Sequence, residues 1–157
     1  PYTCAVPIPR LLALRWRAQS VGKFRSTMPN KRTRGELEAE FTKAMIQFEK
    51  EHLGRGPVDA RTFFLDDMIV VRLRGILTPA EVKLAETRDG QALVKEVRRQ
   101  LFETSRLLVE GIVRQIVGCN VISMHTDMST KTGERVVVLT VDRNLEEQFR
   151  QSDRCRR

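Results

Sequence analysis

The stretch RTFFLDDMIVVRLRGILTPAE, residues 61–81, decides the fold. Runs 61–65 and 68–75 are rich in aromatic and β-branched residues, and two aspartates, Asp66 and Asp67, stand between them at the expected reversal. The second run alternates an apolar series with one that becomes cationic: Ile69, Val71 and Leu73 against Met68, Val70, Arg72 and Arg74. This alternation predicts a hairpin whose second strand buries one face and exposes the other.

The end of the same stretch predicts the start of a helix. Thr78 suits the N-cap, Pro79 fits the first helical position, and Glu81 is placed to complete a capping box. The helix that begins there is expected to end at about Thr87.

Apolar periodicity predicts the remaining elements. A helix is expected from Gly35, followed by a turn at Gly54, Gly56 and Pro57. A long helix is expected from about Gln91 to Val117, with a core stripe of Val94, Val97, Leu101, Leu108, Ile112 and Ile116. Strands are expected at 120–127 and 135–142, and a short polar helix from about Asn144.

The resulting order, α-β-β-α-α-β-β, predicts an α+β fold. Helices would cover one face of a mainly antiparallel sheet of about four strands. Two hairpins can pair in more than one way, so the strand order stays open. The apolar stripe of the long helix is wider than one sheet face needs, and an open sheet has edges to protect, so a homodimer is predicted.

The net charge of +8 is concentrated near the ends of the chain. Between Glu36 and Asp142 there are 15 Lys/Arg and 17 Asp/Glu, and the flanking segments hold the other 13 basic and 3 acidic residues. A folded nucleic-acid-binding domain carries its basic patch on its own surface, so such binding is not expected of the core. The expected organisation is a basic, disordered extension at 1–34 with a true start at Met28, a domain at 35–142, and a short polar helix with a basic tail at 143–157.

Cysteine spacing and apolar run length limit the cellular context. The three cysteines show no Cys-x-x-Cys pair, which fits a reducing cytoplasm, and Cys119 is expected to be a small buried apolar residue. The apolar runs fall short of the roughly 20 residues that a membrane span needs, so no transmembrane segment is expected.

The polar run MHTDMSTKTGER, residues 124–135, is the strongest candidate for a functional site. In a strand, Ser123, His125 and Asp127 share one face, but neighbours on that face are about 6.5–7 Å apart, which is poor geometry for a catalytic triad. Two ligands, His125 and Asp127, do not make a metal site. The run is interpreted as a hairpin in which Gly133 supplies a positive φ, and no catalytic residue, metal or cofactor is predicted.

Four segments together resemble one family: LEAEFTKAMIQFEKEHLGRGP, RTFFLDDMIVVRLRGILTPAE, LVKEVRRQLFE and MHTDMSTKTGERVVVLTVD. Within them GRGP, LTPAE and HTDxSTKTGER, in this order, are similar to the bacterial MpsC-like family over about Gly35 to Asp142. The resemblance implies association with a sodium-translocating, membrane-potential-generating system whose other components are membrane proteins connected with inorganic-carbon uptake. It supplies no catalytic residues.

The resulting hypothesis is a non-enzymatic cytoplasmic accessory module, homodimeric, that binds membrane transporter subunits, possesses no transmembrane segment, and lies peripherally at the inner face of the membrane. Two alternatives stay open: a small-anion or ligand sensor, and nucleic-acid binding through the basic tails. The candidate interaction or anion surface consists of Arg55, Arg72, Arg74, His125, Asp127, Thr130, Lys131, Gly133 and Arg135.

Overall fold

The computed structural model describes the backbone of residues 32–154 and the side chains of residues 32–150. The expectations of a disordered extension and a start at Met28 lie outside the described residues, as does the end of the basic tail. The elements are α1 (Arg34–His52), β1 (Asp59–Leu65), β2 (Met68–Arg74), α2 (Pro79–Leu84), α3 (Arg88–Thr104), α4 (Arg106–Ile116), β3 (Val121–Ser129), β4 (Glu134–Val141) and α5 (Leu145–Arg154). The predicted α+β class is confirmed.

The four strands form one antiparallel sheet in the order β1-β2-β4-β3. The two hairpins therefore join through their second strands, and this settles the pairing that the sequence left open. Alternate residues of the central strands are buried on one face, which we call the inner face: Ile69, Val71 and Leu73 of β2 with Val137 and Leu139 of β4.

Helices pack against the inner face through aromatic side chains. Phe41 of α1 meets Phe64 of β1 edge to face at 6.2 Å between ring centroids, and Phe149 of α5 stacks on the same ring at 6.0 Å. Phe102 of α3 reaches Phe48 of α1 at 5.9 Å. The core thus lies between the sheet and the helices, and the short polar helix expected at the C-terminal end adds Phe149 and the buried Leu145 to it.

Local sequence signals account for the helix starts. Thr33 and Thr78 each accept a hydrogen bond from the backbone of the third helical residue, and Glu36 and Glu81 return a side-chain acceptor to the cap backbone. The capping box predicted at Thr78 is confirmed, whereas the box at Thr33 places the start of α1 at Arg34. These caps supply acceptors for N–H groups that have no partner within the helix.

The prediction of one long helix from Gln91 to Val117 is wrong, because the chain breaks at Ser105 into α3 and α4. The Ser105 N–H is shared between Leu101 O at 3.3 Å and Phe102 O at 3.1 Å. The last turn of α3 therefore tightens towards 3₁₀ geometry, and a new helix begins after it. The predicted core stripe is also displaced. Val97, Leu101 and Leu108 remain 41–45% exposed, while Val94, Arg98, Phe102, Val109 and Val113 are buried.

Candidate functional site

The three sequence motifs that carry the family resemblance meet at one place in the fold. Arg55 of GRGP donates from Nη1 to Leu77 O, the first residue of LTPAE, at 3.2 Å. Ile76 N donates to Gly133 O of the polar hairpin at 3.1 Å, and a Cβ built on Gly133 would lie 3.7 Å from Leu77. Gly133 has φ +63, as expected from its place in the turn. Motifs that are distant in sequence thus form one junction.

Beneath this junction lies a buried ion cluster of Glu49, Glu81, Arg98 and Arg135. Arg98 donates from Nε and Nη2 to the two carboxylate oxygens of Glu81, both at 2.7 Å, and from Nη2 to Ile76 O at 2.9 Å. Arg135 donates from Nη1 to Glu49 Oε1 at 2.9 Å and from Nη2 to Arg98 O at 3.3 Å. The cluster has two cations and two anions and thus no net formal charge. Charged side chains are retained in a protein core when they are paired in this way.

Position in the fold explains why these charges are inside. Arg135 pairs with Leu73 in the sheet register and so points to the inner face, where its guanidinium lies 5.1 Å from the centroid of Phe102. Arg98 occupies the core side of α3, one turn from Val94 and one turn from Phe102. Both arginines and Glu49 are at most 2% exposed, whereas the Glu81 side chain is 23% exposed at the edge of the cluster.

Burial and pairing shift the pKa values of the cluster in opposite directions. Desolvation raises the pKa of Glu49 and outweighs the attraction of Arg135 and Arg98. Partial burial alone would raise the pKa of Glu81, but hydrogen bonds from Arg98 and Thr78 lower it to about 2. Glu49 Oε2 and Arg98 Nη1 are 3.8 Å apart, and neither has a hydrogen-bond partner among the described residues. The cluster therefore couples four elements but is incompletely satisfied.

The low pKa of Glu81 gives a pH dependence that can be measured. A folded-state pKa of about 2 against the ordinary value of 4.5 contributes about 3 kcal/mol to the free energy of unfolding at neutral pH. This contribution is present above pH 4.5 and is lost as the pH falls towards 2. Urea unfolding from pH 7 to pH 3 should show Glu81→Gln less stable than the wild type at neutral pH, with a gap that narrows below pH 4.5.

The control for this titration is Glu86→Gln, at the end of the same α2 region. Glu86 is 59% exposed and pairs with Lys83 on the surface. Its substitution should leave the pH profile of the wild type unchanged. If the free energies of unfolding of the wild type and Glu81→Gln differed by the same amount over the whole pH range, the low pKa of Glu81 would be contradicted.

The structure separates the predicted site residues into three groups. Arg72, Arg74, His125 and Asp127 lie on the exposed face of the sheet, opposite the helices, which we call the outer face. Thr130 and Lys131 lie at the tip of the β3–β4 hairpin, and Gly133 and Arg55 belong to the motif junction. The expectation that Arg135 shares an exposed patch with Arg72 is wrong, because adjacent strand residues point to opposite faces and Arg135 is 2% exposed.

The cations on the outer face already have anionic partners. Arg72 donates from Nε and Nη2 to Glu134 Oε2 at 2.9 and 2.7 Å, and Arg74 donates from Nε to the same oxygen at 3.3 Å. The hydrogen bond from Arg72, aided by Arg74, lowers the pKa of Glu134. An anion arriving at this place must compete with an intramolecular carboxylate.

A cavity of about 320 Å³ lies between α3 and β3. Its charged lining is also internally paired. Arg99 bonds Glu96 at 2.8 Å, and Lys95 approaches Asp127 at 3.8 Å. Arg135, which also lines the cavity, is held by Glu49.

An exposed apolar ridge runs along α3 and α4. It consists of Leu93, Val97, Leu101, Leu107 and Leu108, which are 41–79% exposed. The first three are spaced by four residues and so follow one side of α3. Contiguous exposed apolar surface of this kind marks interaction sites.

Sequence reasoning missed Glu49, Glu81 and Arg98 as members of a functional or structural centre. The available signal was the spacing of Val94, Arg98 and Phe102, which places a charge in the middle of a helical apolar series. His125 and Asp127 do share a face with Ser123, as expected from strand periodicity. Among the residues described by the structure, no group of three or more His, Cys, Asp or Glu side chains is placed to hold a metal ion.

The fold and the junction define a two-layer α+β domain whose described helices lie on one face of the sheet, and comparison with known proteins gives its family. The family described as "Na+-translocating membrane potential-generating system (MpsC)" matches residues 33–143, and the chain belongs to it. It is similar to "Uncharacterized protein YbcI" of Bacillus subtilis (strain 168), with 42% identity over 116 residues that cover 74% of this chain and 94% of the relative. It is also similar to "Uncharacterized protein YrhF" of the same strain, with 29% identity over 111 residues that cover 69% and 90% respectively. No solved structure matches the chain.

Proposed function

We propose that the chain is a non-enzymatic, homodimeric accessory module that binds a membrane component of a sodium-translocating or inorganic-carbon transport system from the cytoplasmic side. The observation that carries this proposal is the apolar ridge on α3 and α4. Exposing five large apolar side chains on adjoining helices to water costs free energy, and a binding partner that covers them removes this cost. The partner is a protein surface with its own apolar face, because the exposed leucines and valine follow the outside of two helices over several turns.

The family description and the charge distribution support a membrane partner. The family is named for a membrane-potential-generating system, and no helix in the described part of the chain is long and apolar enough to cross a membrane. Segments of membrane proteins next to the cytoplasmic surface are enriched in Lys and Arg. Glu96, Glu103 and Glu110 recur at intervals of seven along α3 and α4, and a cationic segment would compete there with Arg99 for Glu96 and with Arg106 for Glu110.

The non-enzymatic part of the proposal is supported by the state of the charged groups. The arginines and glutamates that the fold buries are hydrogen-bonded to one another, and the outer-face arginines are held by Glu134. Groups used for acid, base or nucleophilic chemistry need an approach for substrate. Glu81 at the edge of the cluster and Arg135 at the cavity are the members that can be approached, and each is already held by a side chain of opposite charge.

The test is an affinity pull-down from detergent-solubilised membranes of the source organism, with the full 157-residue chain as bait. Mass spectrometry should identify integral membrane subunits of an ion or inorganic-carbon transporter. The ridge variant Leu93→Gln/Leu101→Gln should bind on the order of tenfold more weakly, since truncating each interface leucine costs about 1 kcal/mol or less. Glutamine keeps the helix propensity of these positions close to that of leucine.

The matched control is Val58→Thr/Ile122→Thr. Val58 and Ile122 are 76% and 63% exposed but lie away from the ridge, so their replacement should leave recovery unchanged. Recovery of soluble proteins alone, or equal recovery by the ridge variant and the wild type, would overturn the proposal.

A further inference from the structure

The outer face of the sheet carries an apolar area that the helices among the described residues leave exposed. The register aligns Phe63, Val70, Val138 and His125 in one row across the four strands, and Leu65, Met68, Thr140 and Ser123 in the next. Phe63 and Leu65 are each 42% exposed, and the aromatic contacts of α1 and α5 are all made on the inner face. An antiparallel sheet with one solvated face normally shows polar residues there, so this apolar area calls for a partner.

Charge on the outer face is divided between the two hairpins. The β1–β2 half carries three arginines, Arg61, Arg72 and Arg74, with Asp59 at its end, whereas the β4–β3 half carries Glu134 and Asp127. Arg72 and Arg74 meet Glu134 across the central seam. Arg61 has no hydrogen bond or ion pair with other described residues, and Asp127 has a single 3.8 Å approach from Lys95.

Arg61 and Asp127 occupy the same row of the sheet, on opposite edge strands. Arg61 aligns with Arg72, Arg72 with Val136, and Val136 with Asp127. Three strand spacings separate the two residues, or about 14 Å, so they do not pair within one molecule.

A twofold axis parallel to the strands, between β2 and β4, makes this face complementary to itself. The rotation lays β1 on β3 and β2 on β4 of a second copy, and it leaves each row at its own level because a closed twofold allows no shift along the axis. Val70 then faces Val138 of the partner subunit, and Arg61 faces Asp127 of the partner subunit. The cationic half of one copy covers the anionic half of the other, twice per dimer.

We propose that a second copy of this chain binds the outer face across this axis, with the apolar members of these two rows as the interface core and two Arg61–Asp127 pairs at its borders. The inference rests on the homodimer in the proposed function and assigns its surface, leaving the apolar ridge for the membrane partner. Four strands over the seven paired levels of β1 and β2 measure about 19 by 24 Å, and burying this face on both copies removes on the order of 1,000 Å². That area is at the low end for specific interfaces, so we expect a dimer whose population depends on concentration.

The experiment is sedimentation equilibrium of the full chain at several concentrations, with Arg61→Asp, Asp127→Arg and the double variant. Each single change places two like-charge pairs in the dimer and should raise the dimer Kd about tenfold or more at low salt. The double change restores opposite charges across the interface and should bring the Kd back to within about threefold of the wild type. Arg61 and Asp127 of one molecule are about 14 Å apart and cannot pair with each other, so a restored dimer Kd must come from contacts between two molecules.

Arg88→Asp is the control, since it makes the same charge change at an exposed position of α3, away from the sheet. Circular dichroism confirms the fold of every variant, and both substituted outer-face residues are exposed. A monomeric wild type at high micromolar concentration, single variants that dimerise like the wild type, or a double variant that stays weakened would each overturn the inference. Transporter recovery by a chain that fails this test would leave the membrane-binding accessory role standing and would remove the homodimer from the proposed function.

Discussion

Replacing Arg98 with methionine is expected to lower the free energy of unfolding by about 3–5 kcal/mol. The change removes both hydrogen bonds to Glu81 and the one to Ile76 O, and it leaves Glu49 buried with Arg135 as its remaining cation. A buried carboxylate that loses half of its compensation carries the desolvation penalty without the attraction that offset it. Single domains are stable by only 5–15 kcal/mol, so the variant should be close to unfolding at 37 °C. Equilibrium urea unfolding measures the difference.

The neighbouring residue provides a matched control. Arg99 has the same chemistry on the same helix, but it is 58% exposed and bonds Glu96 on the surface. Arg99→Met should change stability by about 0.5 kcal/mol or less. Comparable losses in the two variants would show that the ion cluster contributes no more than a surface pair.

Replacing Gly90 with alanine is expected to destabilise the fold by about 3 kcal/mol, towards the upper end for overpacked sites. A Cβ at this position would lie 1.8 Å from Leu84 O and 2.8 Å from Leu84 C, so the backbone at the end of α2 must move. Since α2 also carries Glu81, the displacement would loosen its hydrogen bonds with Arg98. Thermal and urea unfolding should report both the lost stability and a weaker pH dependence below pH 4.5.

A second helical glycine distinguishes this contact from general glycine effects. Gly111 lies inside α4, and a Cβ built there meets nothing within 4 Å. Gly111→Ala should therefore stabilise the protein by roughly 0.5–1 kcal/mol, because alanine has less conformational freedom to lose on folding. If both alanine variants stabilised the protein, the close approach of α2 to α3 would be wrong.

Much of the fold follows from local sequence. The β1–β2 hairpin was predictable because two runs rich in aromatic and β-branched residues flank Asp66 and Asp67, and Asp66 adopts φ +48 in the turn. The start of α2 was predictable because Thr78, Pro79 and Glu81 act within a single helical turn. Such signals are complete within a few residues and do not depend on the rest of the molecule.

The interior of the candidate site could not be predicted in this way, since its partners are distant in sequence. Arg135 and Glu49 are 86 residues apart, and neither position shows why a charge belongs in the core. The core side of α3 was misplaced for the same reason. A prediction from apolar periodicity assumes that arginine faces water. Arg98 is buried instead, because Glu81 neutralises its charge, and Val97 and Leu101 are exposed.

The strand order has a consequence for how the chain assembles during synthesis. Each hairpin is local, but the central β2–β4 seam joins segments about 60 residues apart, as at Arg72 and Glu134. Closing so long a loop is slow compared with forming either hairpin. A nascent chain that has reached α4 therefore carries β2 paired with β1 on one side only, and the sheet is completed only after Glu134–Val141 has emerged from the ribosome.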